Sequence, residues 1–503
     1  MSTLGPEHVD IRGTGVVERW YDQLQGLFAN MYGPRSGLKL VKKDEEWSVV
    51  ADAGTLLSTL SVVTPMTDLW SSLVEGQTDR YGDGSTFAAL FALELAQVSM
   101  GLVGSSLHPT TIERGYRHAY ETARERIETL GVTRSDQDIL QSTLEGVAAG
   151  DGIYEHPAVG AMTRVVRADE SSFSPQILAR NRGTAQETRA VPGVLVTKAP
   201  ADDSRLPVTD ARVLLVDERL YVEEETEEDS HSRTAPTVVA DSPETVRRAE
   251  DTIADLESAW ADRILSVDPD LVVTRKGLAE RIRRRLLRAD LTLLHRAKPD
   301  EALARLAAST GAAVVSHVED VTEDHLGRAG RVELCSFNDL DYVLVHGRPS
   351  GPWSLLVGNW TWQTTELVED AVDSLVTVGR QATSDPTFVP GGGATDVHLA
   401  SVVRDDAQAV ADRQQLAVTG YADALESTVR TLARNLGHDP VGTLASLRAG
   451  EAGVGLIADR DEVGDALDAG VADLATVKRG ALTAATNTAL TLLRVDALVS
   501  TDA

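Results

Sequence analysis

Apolar residues step through the first part of the chain at three- and four-residue intervals. Val16, Val17, Trp20, Leu24 and Leu27 share one face of a helix that the turn-forming "YGPRSG" brings to an end. From Phe87 to Leu102 nearly every position is apolar, which predicts a helix buried all round. Ile112 to Leu130 carries its charges on one side and predicts an amphipathic helix. At Val191 the pattern changes: "VPGVLVTKA" and "ARVLLVDERLYV" are short apolar runs bounded by Pro, Gly and Asp, as strands are. Pro243 opens a helix with a stripe of Val246, Ala249, Ile253, Leu256, Trp260 and Ile264. The stretch from Asp270 to Val318 then alternates strand, helix, strand, helix, strand, the pattern of a small α/β layer. Helical spacing returns in Leu367, Ala371, Leu375 and Val378, and again over Val397 to Val403, Gln414 to Leu436 and Thr476 to Leu493. The chain therefore reads as helical at both ends around an α/β middle.

Composition sharpens this picture. A chain of 503 residues is too long for one core and suggests about three units. Aromatic residues are only 4%, so the core must rest on Ala, Val and Leu, which suits helix packing. The formal charge of -29 argues against nucleic acid or an anionic membrane as the partner, because the long-range field repels both. Lysine is confined to Lys39, Lys42, Lys43, Lys198, Lys276, Lys298 and Lys478. An acidic, lysine-poor surface suits concentrated salt, which screens carboxylate repulsion, so a halophilic habitat is expected. Cys335 is the single cysteine, so no intrachain disulfide can form. No basic-then-apolar leader opens the chain and no uninterrupted apolar run reaches membrane-spanning length, which points to the cytoplasm.

Several short stretches carry candidate chemistry. In "GDGST", Gly82 and Gly84 allow close backbone approach, Ser85 and Thr86 add hydroxyls, and the following helix offers unpaired N–H groups, a combination that can seat phosphate. Asp83 could hold Mg²⁺ there, or Asp83 or Ser85 could simply cap the helix. Asp52 in "ADAGTLL" reads alone as a turn residue, and Asp373 beside an apolar helix face reads alone as a surface residue. The acidic run from Glu223 to Pro236 reads as a solvated loop. "RIRRRLLR" reads as a helix face pairing with nearby acids. "YGPRSGLKL" lacks the Gly-Lys-Ser/Thr ending of a Walker loop. The absence of H-E-x-x-H, C-x-x-C and G-x-S-x-G argues against a zinc enzyme and a serine esterase.

Taken in order, these pieces resemble one family. "YGPRSGLKLV", "ADAGTLL", "GDGSTFAALFALELAQ" and "HPTTIERGYRHA" are similar to the N-terminal equatorial motifs of the group II chaperonins, the archaeal thermosome and its eukaryotic cytosolic relatives. That family writes them T-L-G-P-K-G, N-D-G-A-T-I-L, G-D-G-T-T-T and H-P-x-x-I-x-x-G-Y. "VPGGGATDVHLA", "QQLAVTGYADALESTVRTLARNLGHDP" and "DAGVADLATVKRGALTAATNTALTLLRVD" resemble its C-terminal equatorial segment, and "GAAVVSHVEDVTEDHLGRAGRVE" its apical segment. The resemblance runs the length of the chain.

It implies a multidomain α and α/β chaperonin fold. A mostly α equatorial domain is split over 1–131 and 387–503, and an intermediate domain over 132–190 and 352–386. An inserted α/β apical domain spans 191–351, with a helical lid protrusion near 223–266. It implies an ATP-dependent chaperone that binds non-native client proteins inside a double ring of chaperonin subunits, of one or several kinds, closed by a built-in lid. ATP and Mg²⁺ are the implied cofactors, and no nucleic acid or membrane is implied as a partner. By matching motifs, Gly33 and Pro34 form the first phosphate loop. Gly82, Asp83, Gly84, Ser85 and Thr86 form the second, with Asp83 on the metal. Gly392 and Gly393 contact the nucleotide and Asp473 lies near the ribose. Asp52 and Asp373, the latter matched to the aspartate of H-D-A-L, serve catalysis.

The departures are Ser36 for the last glycine of G-P-K-G, Ala51 and Ala53 around Asp52, Leu38 for the M-D-K aspartate, Phe87 for the third threonine, Leu474 for the proline after Asp473, and Asn487 for a glutamate of the last helix. They leave open a diverged chaperonin-like assembly subunit with weak or no hydrolysis. A metabolic kinase is a more distant alternative.

Overall fold

The computed structural model describes residues 7–10, 15–43, 46–59, 65–134, 137–153, 156–168, 175–180, 184–197, 206–221, 243–298, 301–348, 351–358, 362–495 and 497–500. The acidic run from Glu223 to Pro236 lies outside them. Two compact units result: the first gathers 1–166, 179–186 and 359–503, and the second gathers 167–178 and 187–358.

The first unit is built around the Ser85–Gly104 helix, apolar on every side and accordingly central. Phe91, Leu93 and Leu95 are fully buried, against the Pro109–Leu130, Gln414–Asn435 and Ala475–Arg494 helices. Among the described residues it is the one helix long and apolar enough to cross a membrane, and its burial in the core explains that composition. A ladder of rings ties the helices together. Tyr32 meets Phe87 at 6.1 Å, Phe87 stacks on Phe91 at 5.8 Å, and Tyr421 stands edge-on to Phe91 at 5.1 Å and to Tyr116 at 5.8 Å. The buried hydroxyls are satisfied: Tyr116 donates to the Leu95 carbonyl at 2.8 Å, and Tyr421 lies 2.9 Å from the Thr486 hydroxyl. Glu426 is 1% exposed, yet both Arg404 and Arg448 pair with it.

Helices at Pro65–Tyr81, Gln137–Gly150 and Pro440–Ala449 also belong to this unit, and none of the three stands out by its periodicity. Two small antiparallel sheets belong to it as well, Glu7–Asp10 with Ala497–Ser500 and Lys39–Lys43 with Glu46–Val50.

The second unit holds a seven-stranded sheet. Val208–Val216 pairs in parallel with Leu271–Thr274, which pairs in parallel with Thr292–His295. On its other edge Val208–Val216 runs antiparallel to Gly327–Phe337, followed by Leu340–His346 and Val194–Val196. Alternation along the central strand sends Val213 and Leu215 to one face, where Leu303 and Leu306 of the Ala302–Thr310 helix cover them. Leu214 and Val216 go to the other, beneath Ile264, Ile282 and Leu286.

The Pro243–Leu265 helix forms as its pattern predicts, but its stripe is not uniformly buried. Ile264 is fully buried and Leu256 is 38% exposed, while Glu257 is tucked in beside Arg281 at 3.9 Å. Helix periodicity locates a face but not the groups that tertiary packing sets against it. The basic string behaves as expected: Arg283 and Arg284 pair with Glu280, and Arg285 with Asp262.

Candidate functional site

A cavity of about 410 Å³ opens within the first unit, and chain segments far apart in sequence line it. The first is Tyr32-Gly33-Pro34, held by Asn435, whose amide donates to the Ala29 and Tyr32 carbonyls at 2.6 and 2.7 Å. The second is the turn Gly82-Asp83-Gly84, leading into Ser85 and Thr86 at the start of the Ser85–Gly104 helix. Gly82 sits at φ +71°, and a Cβ there would come 2.8 Å from the Ser374 carbonyl oxygen, so a side chain is excluded twice over. Asp83 accepts the Gly84 N–H at 2.6 Å, and Gln77 donates to the Asp83 carbonyl at 2.9 Å. The third segment, Gly392-Gly393, precedes the Ala394–Ala407 helix. The fourth is Ala472-Asp473-Leu474 with Lys478 a turn later, and the fifth is the end of the Gln137–Gly150 helix with Asp151. Leu432, Leu436, Leu456 and Ile457 give the cavity an apolar portion.

Asp52 joins this wall by capping the short Ala53–Thr59 helix. Its Oδ1 accepts the Gly54 and Thr55 N–H groups at 2.7 and 3.0 Å, and the Ala53 N–H donates to the Thr86 hydroxyl at 3.2 Å. The cap thereby ties the Asp52 turn to the Asp83 turn.

The carboxylates crowd one another. Burial, and then Asp473, push Asp83 up to about 6, against the pull of the Gly84 N–H and of Lys478. Asp151 is raised well above the usual carboxylate range by burial and by Asp52 and Asp83, despite a hydrogen bond from Ser374; its Oδ2 has no partner. Asp370, on the Trp362–Ser384 helix, is pushed up to about 7 by loss of solvent and then by Asp52, Glu366, Asp373 and Glu369. So much negative charge in a partly dry cavity favours a ligand that arrives with cations.

All the glycines, hydroxyls and carboxylates matched by motif line this cavity except one. Asp373 is exposed and does not line it, and the same holds of Asp370 one turn earlier, although Ser374 does line it. The helical carboxylate that feels Asp52 is Asp370, one turn earlier.

Asp151, Asp396 and Lys478 were not singled out from the sequence. A signal existed for Asp151 in "AGDGIY", a second Gly-Asp-Gly, and for Lys478 in the rarity of lysine. Asp396, 1% exposed, had none.

One donor set suits Mg²⁺. Among the described residues no three His, Cys, Asp or Glu side chains gather closely enough to hold a metal unaided. A single carboxylate such as Asp83 beside a phosphate seat is the arrangement Mg²⁺ favours, since that ion keeps waters and shares phosphate oxygens.

The glycines make a direct prediction. Gly392 has φ +62°, and a Cβ there would stand 2.3 Å from the Leu456 carbonyl oxygen. Gly392→Ala is expected to destabilise the first unit by about 1–3 kcal/mol and to weaken any ligand of the cavity. Gly26→Ala, in an open mid-helix position, should be neutral or slightly stabilising. Thermal unfolding of the two variants, with and without ligand, checks this.

Residues 24–503 match the TCP-1/cpn60 chaperonin family. The chain is 30% identical to thermosome subunit 3 of Haloferax volcanii over 93% of its own length and 91% of that protein's. It is 30% identical to thermosome subunit alpha of Halobacterium salinarum, over 93% and 85%, and 28% identical to thermosome subunit beta of Thermoplasma acidophilum, over 93% and 89%.

Proposed function

Because the chain belongs to the TCP-1/cpn60 chaperonin family, as a group II chaperonin that assists protein folding, we propose that the cavity of its first unit binds and hydrolyses Mg²⁺-bound ATP. The observation that carries this reading is the convergence of Gly33-Pro34, the Gly82–Thr86 turn, Gly392-Gly393, Asp52 and Asp473 on one cavity. In it the phosphates lie against the N–H groups at the start of the Ser85–Gly104 helix and the hydroxyls of Ser85 and Thr86. Asp83 holds the Mg²⁺, which neutralises phosphate charge. The apolar portion around Leu456 and Ile457 accepts the base, and Asp473 meets the ribose.

Asp52 and Asp370 orient the attacking water and take its proton. The motif match gives this role to Asp373; the nearness of Asp52 to Asp370, one turn earlier, favours Asp370, and neither carboxylate lines the cavity. In this reading 1–131 and 387–503 form the equatorial domain, 132–190 and 352–386 the intermediate domain, and 191–351 the apical domain, whose lid protrusion near 223–266 includes the Pro243–Leu265 helix. A base on the intermediate helix Trp362–Ser384 lets movement of that helix gate hydrolysis.

Assembly into a double ring with other chaperonin subunits agrees with the two small sheets. Among the described residues each is two-stranded, with backbone edges that a neighbour could pair, and Leu40 and Trp47 of the hairpin are 62% and 46% exposed. Non-native chains are the clients, in the cytoplasm.

Steady-state phosphate release tests the chemistry. With Asp370 pushed up to about 7, the base is protonated in acid and becomes competent as pH rises, so kcat/KM for ATP should climb through about pH 7 and then level off. A flat profile between pH 5.5 and 8.5 speaks against Asp370 as the base. A specific feature favours the weakly hydrolysing alternative: Phe87 lines the cavity where the family has a hydroxyl. That reading is preferred if MgATP raises the unfolding temperature while no phosphate is released.

A further inference from the structure

Lys478 is an anomaly in this cavity. It is 6% exposed in a chain almost devoid of lysine, and it lies on the first turn of the Ala475–Arg494 helix. Its Nζ is 2.8 Å from Asp396 Oδ2, 3.9 Å from Asp473 Oδ2 and 3.9 Å from the centre of the Phe87 ring. Three of the cavity's segments thus meet at one ammonium: the helix behind Gly392-Gly393, the Asp473 strand, and the helix behind the Asp83 turn. The other cation lining the cavity among the described residues, Arg460, has an exposed side chain and faces Glu462 at 3.7 Å.

A lysine buried merely to satisfy one aspartate would leave that aspartate fully bonded. Asp396 is not: its Oδ1 is buried without a partner. The pair is therefore an imperfect structural ion pair, of the kind that replacement by apolar residues often improves. Burial alone would pull the ammonium down, but Asp396, Asp473 and Asp83 together outweigh it and keep it charged. The face of Phe87 adds a further electrostatic seat for that charge.

We infer that Lys478 is a positioning residue for a nucleoside polyphosphate: anchored by Asp396 and Phe87, it fixes the Asp473 carboxylate and offsets the charge of Asp473 and Asp83, so that the acidic cavity admits a polyanion. The inference rests on the nucleotide reading of the cavity and adds to it a residue that touches neither base nor phosphate. It also gives Phe87 a use, since the ring that replaced a hydroxyl supports the cation.

The test must separate this role from simple folding. Lys478→Met keeps most of the stem but strands the buried Asp396, so the decisive variant is the double substitution Asp396→Asn with Lys478→Met, which removes both charges. Calorimetric titration with MgATP and with adenosine, on the full chain, supplies the readout. The wild type binds both. The double variant is expected to bind MgATP at least about tenfold more weakly and adenosine within about twofold of wild type, because only the charged ligand needs the ammonium. Wild-type affinity of the double variant for MgATP, or equal weakening for both ligands, overturns the inference while leaving the nucleotide site intact. If the wild type binds neither ligand, the nucleotide reading falls and the inference with it.

Discussion

Asp370→Ala is expected to lower steady-state phosphate release at least about a hundredfold, while Asp373→Ala keeps most of it. The two residues are one helical turn apart, and both carboxyls are raised by loss of solvent, so composition and exposure do not separate them. Surroundings do. Asp370 stands within the electrostatic reach of Asp52, and Asp52 is fixed by its cap to the turn that also bonds Thr86. Neither carboxylate lines the cavity, and no neighbouring charge acts on Asp373 as Asp52 acts on Asp370. Substrate affinity should change little in Asp370→Ala, because a group that acts on the water contributes mainly in the transition state. Equal loss in the two variants would mean that the helix matters as a body and Asp370 holds no special role.

Glu426→Ala carries the largest expected effect on stability. The carboxylate is 1% exposed and is shared by two guanidinium groups, with Arg404 also reaching Asp423 at 2.8 Å. Removing it leaves two cations facing each other without their common partner. Breaking a buried pair costs about 3–5 kcal/mol, but both arginines are partly exposed and can rehydrate, so about 2–3 kcal/mol is expected here. The unfolding temperature of the first unit should fall by roughly 5 °C.

The pH dependence has a definite sign. Burial raises Glu426, yet the hydrogen bonds from Arg448 and Arg404 together hold it below the ordinary carboxylate range. Its contribution is therefore complete above the unfolded-state value, about 4.3, and is lost as pH falls through the lower folded-state value. Wild type and Glu426→Ala should converge in stability only in that acid range. Thermal unfolding at pH 3 and pH 7 checks it. Molar KCl should leave most of the difference, since a buried triad is screened far less than surface pairs.

Much of the fold could be read in the sequence because it rests on repeated local signals. The Ser85–Gly104 helix is apolar over many positions, and the alternation from Asp270 to Val318 states strand and helix in turn. Gly33, Asp83, Gly392 and Asp473 were legible as a set because their motifs keep a fixed order. Other features were weaker. The Pro65–Tyr81 helix has a mixed polar pattern, and its Trp70 is buried by neighbours that the local sequence does not contain. Leu256 and Glu257 exchange the exposure their types suggest, because Arg281 lies against that turn.

By itself the sequence determined the helical ends, the α/β middle, the family and the identity of most groups around the cavity, since these depend on short-range periodicity and on motif order. Only the tertiary structure decided which carboxylates share a space. Asp52, Asp83 and Asp370, separated by up to hundreds of positions, all act on the buried Asp151, and Lys478 joins three segments that no local pattern links. Electrostatic interaction falls with distance in space and is blind to distance along the chain, so which of these groups act on one another becomes visible only once the elements that carry them are packed together.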